Sequence, residues 1–300
     1  MSTPAPHEDS LEESSEQEPG TRPETESRGL ARFDQWAASD HFFPRSAPWC
    51  LYLLFLTAVT YGRESSALLT IPLKLLQAGC VCGLIWRWRS LVPELNWKFH
   101  WSVIPVSAGL TWGWIFLHHQ MASRFTVLAD SEPNFYATLS ETRPALFWPA
   151  AVAHLVAMCT AVPMIEETFN RSLLQRCLSS GQATWLGFLQ FLIDLPLIGS
   201  WIERTSAGVG AKKHGAVFGP QFLQTPLGQL SVSGVTASTA VFCLAHAVRD
   251  WPGAVLCGVT WCIMLNRTRH LGLGPVVWSH ALVNLLLWIY VISFRDWQLL

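Results

Sequence analysis

The chain has 300 residues, half of them hydrophobic and only 14% charged, with a formal net charge of −1. Soluble domains carry roughly 25% charged residues, so this composition excludes an ordinary water-soluble globule, and the near-neutral balance argues against nucleic acid as a partner. The eight cysteines make no disulfide framework: most lie in apolar runs, and the Cys80/Cys82 C-x-C pair lacks a second pair at zinc-site spacing.

Residues 1–45 hold ten Asp or Glu against four Lys or Arg, whereas residues 46–300 hold eleven against sixteen. The first stretch is rich in Glu, Ser, Pro and Thr and cannot bury enough apolar surface to offset its ordering entropy. It reads as a disordered acidic tail, and no basic-then-apolar leader marks it as a cleavable signal. Residues 46–300 read as a helical transmembrane domain.

A helix crossing a bilayer needs about 20 mostly apolar residues. Eight stretches come close, at roughly 47–62, 68–86, 101–119, 145–162, 183–200, 233–249, 252–266 and 275–294. LYLLFLTAV and LVNLLLWIYVI carry no polar face, and a helix apolar all round is a core or membrane element. The expected fold is all-α: a polytopic, multi-pass integral membrane protein with about eight transmembrane helices. The sixteen tryptophans suit the membrane–water interfaces, where the indole ring is favoured.

Polar punctuation falls between these stretches, as TVLADSEPNF near 130 and TSAGVGAKKHGAVFGPQ near 210. Arg87 and Arg89, Lys212 and Lys213, and Arg267 and Arg269 would all be cytoplasmic by the positive-inside rule. An eight-pass weave cannot put them all on one side.

Ionisable groups at membrane depth are costly and are functional candidates by default. Few acids fall inside apolar runs: Glu166, Glu167 and Asp194. The histidines there are His118, His119, His154, His246 and His280. Pro163 is expected to begin a new helix, breaking the run before it, and broken helices at this depth line a protein interior or a wet cavity. Glu167 and Arg171, four apart, share a helical face and are expected to pair. Glu166 points about 100° away and is left available. Phe242 with His246, and His280 with Asn284, repeat the four-residue spacing.

The order EE-x-x-x-R, F-x-x-x-H, H-x-x-x-N resembles the CAAX protease and bacteriocin-processing family of intramembrane proteases, which includes the Ras-converting type II CAAX prenyl endopeptidases. The resemblance covers about residues 145–290. It implies a helical membrane core with a site in a cavity inside the bilayer. It further implies that Glu166 and His246 activate water, that His280 and Asn284 stabilise the oxyanion, and that Glu167, Arg171 and Phe242 support the site. The substrate implied is a membrane-associated or lipid-modified, CAAX-type protein cut by an endopeptidase, and since the chain has no H-E-x-x-H the expectation is glutamate catalysis without a cofactor. Zinc held by Glu166, His246 and His280 is the alternative. The chain departs from the family at Asn170 and Ser172, which replace an aromatic and a glycine around the arginine, and in a longer separation of Glu166 from His246. The rival readings are a non-proteolytic immunity or scaffold protein with the same fold, and a proton-linked transporter.

Overall fold

Three helical segments, Leu68–Arg87, Pro144–Ser179 and Gly274–Phe294, are long and apolar enough to cross a membrane. They belong to a computed structural model that describes residues 31–35, 37–38, 41–65, 67–124, 134–180, 189–190, 192–193, 199–212 and 220–299. Among the described residues all regular structure is helical. Residues 37–300 form one unit and residues 1–36 another. Asp194, Lys213, most of the acidic tail and most of the 183–200 stretch lie outside the described residues.

The main helices are α1 (Phe43–Ser65), α2 (Ala67–Arg87), α3 (Val103–Arg124), α4 (Phe135–Thr142) and α5 (Pro144–Cys159). Then come α6 (Ala161–Glu167), a π-helix (Thr168–Gln175) and α7 (Arg176–Ser179), followed by the short α8 (Gly199–Ile202) and α9 (Ser206–Lys212). The last three are α10 (Val232–Leu244), α11 (Trp251–Thr268) and α12 (Gly274–Phe294). Local chemistry sets several starts. Proline stands in the first two positions of α5, α11 and α12, where a missing N–H costs nothing. Ser231 caps α10 by accepting from the Gly234 amide at 2.9 Å.

Seven of the expected stretches correspond to described helices, but two details differ. The break expected at Pro163 falls at Thr160, between α5 and α6. Pro163 is tolerated inside α6 because it sits in the first turn, whose amides have no intrahelical acceptor. The stretch expected over 233–249 ends at Leu244, so His246 stands on the turn after α10 and not on its face.

α1 packs along α2, α3 lies against α11 and α12, and the 144–179 rod contacts α2, α10 and α12. At one end of this bundle Arg45, Glu94, Ser172 and Arg176 gather. At the other, the Asn134 amide donates to the Trp297 carbonyl at 3.0 Å and His118 meets Asp250 at 2.6 Å. Ser179 Oγ donates to the Gln229 carbonyl at 3.1 Å and Gln229 Nε2 to the Ser179 carbonyl at 3.2 Å. The chain therefore leaves the rod and returns to α10 at the same end. The largest buried apolar cluster joins α3, α10, α11 and α12, and includes Trp114, Phe242, Trp261 and Val277. This cluster is the floor on which the polar residues stand.

Candidate functional site

The rod delivers Glu166 and Glu167 from the end of α6, with all of α6 buried. Consecutive helical residues diverge by about 100°, so the two carboxylates face different surroundings. Glu167 is fully buried and faces the protein. Its Oε2 lies 3.4 Å from Arg171 Nε, the expected four-residue pair, and its Oε1 lies 2.8 Å from His280 Nδ1. The Arg171 guanidinium is also fully buried and sits 5.7 Å from the Phe242 ring centroid. None of its nitrogens makes an aligned hydrogen bond, so the Glu167 contact is an ion pair without hydrogen-bond geometry.

Glu166 faces the other way, into a cavity of about 570 Å³. His246, His280 and Asn284 line the same cavity, with Trp49, Tyr52, Leu53 and Leu56 of α1 forming an apolar wall. The candidate residues from three separate stretches thus meet around one space. Glu166 Oε2 is 3.9 Å from His280 Nε2 and has no hydrogen-bond partner. A buried carboxylate oxygen with no protein partner is an exception among native polar groups, and it belongs to a residue that lines a space large enough for several waters.

Each imidazole has one nitrogen committed to the protein. His280 Nδ1 donates to the Glu167 carboxylate, which turns Nε2 towards Glu166. His246 Nδ1 donates to the Phe242 carbonyl at 2.8 Å. In the neutral ring this leaves Nε2 as an acceptor. His280 Nε2 donates only when the ring is charged, and Glu167 is the counter-ion placed to stabilise that charge. Asn284 Nδ2 donates to the Met158 carbonyl at 2.7 Å, using one of its two N–H bonds.

Aromatic rings hold both histidines, and these the sequence reading did not single out beyond Phe242. Trp261 stacks on His280 with centroids 4.4 Å apart and planes at 22°. Its indole N–H donates to Ser279 Oγ at 3.1 Å, and Ser279 in turn meets Ser107 Oγ at 2.9 Å. Trp114 meets His246 edge-on at 5.4 Å, and Phe242 lies 4.6 Å from the same ring. The Trp261 and Ser107 contacts come from α11 and α3, far along the chain, and no spacing in the sequence signals them.

Beneath the site, the Ser172 hydroxyl reaches Glu94 Oε1 and accepts from Arg45 Nε at 3.0 Å. Arg45 also clamps Glu94 Oε1 through Nη2 at 2.7 Å. Ser172 therefore fastens the π-helix to α1 and to the connection after α2. Phe169, also on the π-helix, stacks on Trp49 at 4.6 Å and 5°. π-helical turns recur at functional sites, and this one follows Glu167 directly while carrying Arg171.

For metal chemistry, among the described residues no group of three His, Cys, Asp or Glu side chains stands at metal-holding separation. The arrangement itself supplies an unpartnered carboxylate, an imidazole with a free acceptor nitrogen, a carboxylate-backed imidazole and an amide around one space. That set can move a proton and hold a developing negative charge. Comparison with protein-family models, curated proteins and solved structures finds no match to this chain.

Proposed function

We propose that this chain is a multi-pass membrane endopeptidase that hydrolyses a peptide bond in a membrane-associated or lipid-modified protein, within a cavity at bilayer depth. The observation that carries the reading is the meeting of Glu166, His246, His280 and Asn284 around one cavity, with a Glu166 oxygen left unpartnered. The apolar wall from α1 gives a hydrophobic substrate segment a place to lie beside that polar set.

In this reading Glu166 takes a proton from a water that His246 Nε2 orients. The water oxygen bonds to the scissile carbonyl carbon, and the developing oxyanion is held by the Asn284 amide and the His280 imidazolium, whose charge Glu167 balances. The C–N bond then breaks and Glu166 returns its proton to the leaving amine. No cofactor takes part. The chain would cross the bilayer by the three apolar segments and by the other long helices packed between them.

The experiment is cleavage of a lipidated C-terminal peptide by full-length protein in liposomes. Wild type is expected to cleave and Glu166→Gln is expected not to, with both showing the same helical content. Equal cleavage by the two proteins would overturn the proposal.

A further inference from the structure

The arginines that the eight-stretch weave scattered to both sides, those near 88 and those near 268, are brought to one end by the observed topology. The Leu273 amide donates to the Glu94 carbonyl at 2.8 Å, which docks the 88–102 connection on the turn between α11 and α12. Gly272 makes this approach possible. It holds φ at +72°, and a Cβ there would come within 2.3 Å of the Asn96 side chain and 2.5 Å of the Glu94 carbonyl. The Trp278 indole donates to the Trp97 carbonyl at 3.1 Å, and the two rings meet at 5.9 Å.

This docking gathers Arg89, Lys98, Arg267 and Arg269, all exposed. Across residues 86–102 and 266–274 the sole carboxylate is Glu94, and it is consumed by Arg45, Ser172 and Arg176. The same rim exposes Trp86 (65%), Trp97 (58%), Phe99 (54%) and Trp101 (70%). Arg89 lies over Trp86 at 4.5 Å.

We infer that this rim is a binding surface for anionic lipid headgroups, seated in the leaflet that carries negative charge. Four exposed cations on two segments whose sole carboxylate is taken up inside the protein match an anionic surface, and indole rings beside them match the headgroup level. A rim of mixed sign would show no such preference. The inference rests on the membrane reading of the chain and not on the hydrolytic one.

The test uses full-length protein reconstituted with spin-labelled phosphatidylserine or phosphatidylcholine as the probe lipid. The serine lipid should associate about fivefold more strongly, the factor expected for one basic side chain near an anionic surface. The preference should shrink in high salt. A combined Arg89→Gln, Lys98→Gln, Arg267→Gln and Arg269→Gln protein should lose it, while Arg89→Lys, Arg267→Lys and Arg269→Lys together should keep it. Equal association of both lipids with wild type, or retention of the preference in the glutamine protein, would overturn the inference. Glu166→Gln should leave the preference intact, which separates this test from that of hydrolysis.

Discussion

Glu167 holds His280 and Arg171 at once, one carboxylate oxygen on each, while its neighbour Glu166 leaves an oxygen unbonded beside the cavity. Two adjacent residues of one type are thus divided between building the site and serving it. The division has measurable consequences for stability.

Glu167→Ala should unfold the protein much more readily than Glu166→Ala. Removing one partner of a buried ion pair strands the other charge and costs about 3–5 kcal/mol. Glu166 has no bonded protein partner to strand, so its loss should leave the unfolding midpoint within about 1 kcal/mol of wild type or above it. Thermal or denaturant unfolding in the same detergent checks both. A Glu166 variant as unstable as the Glu167 variant would mean that the two share one structural job.

Asn284→Ala should lower kcat by about 10²–10³-fold with a smaller change in KM, the signature of a lost oxyanion donor. Steady-state kinetics on the lipidated peptide separate the two constants. A change confined to KM would place Asn284 in substrate binding alone.

Acid should weaken the end of the bundle at Glu94. Burial acts to raise the pKa of this carboxyl, but Arg45, the Ser172 hydroxyl, its own backbone amide and Arg176 together outweigh that effect and hold it below the ordinary value of 4.5. A depressed folded-state pKa gives stability that is present above the unfolded value and is lost as pH falls through the folded one. Unfolding measured below about pH 4.5 should therefore steepen in wild type. In Glu94→Gln the carboxyl's share of that slope should vanish, with stability lower at neutral pH. An unchanged acid slope in the glutamine protein would show that Glu94 is not the titrating group.

Chelation should leave peptide cleavage unchanged, and purified protein should contain zinc well below one atom per chain. Loss of activity on chelation, restored by zinc, would instead assign Glu166, His246 and His280 as ligands, with the open coordination position that hydrolysis needs.

The sequence reached some of this geometry and not the rest. The Glu167–Arg171 pair follows from helical spacing alone, because a four-residue separation puts two side chains on one face whatever surrounds them. The Phe242–His246 pairing also follows the spacing, although α10 ends at Leu244 and the contact is made by His246 turning back onto the Phe242 carbonyl. The second bond of Glu167, to His280, joins residues 113 apart and needs the crossing of α6 with α12, which no local rule supplies. The same holds for Trp261 on His280 and for Arg45 on Ser172. Which arginines share one end of the bundle was unreadable for a related reason. It turns on whether the chain that leaves the rod at Ser179 comes back to the same end at Gln229, and the hydrogen bonds of Gln175, Ser179, Gln229 and Ser233 across that gap decide it.

The π-helix over Thr168–Gln175 makes the rod unusually sensitive to chain length. Its bonds span one residue more than α-helical bonds do. Deleting a single residue there would let ordinary winding resume and would leave the chain beyond the octet in register with α6, so the change of facing would fall on the octet itself. Ser172 would then leave Glu94, while Arg171 would keep the face of Glu167 wherever the deletion fell beyond it. An indel in that octet is therefore a far harsher lesion than a point change, and the site's electrostatic support depends on the counting of residues as much as on their kind.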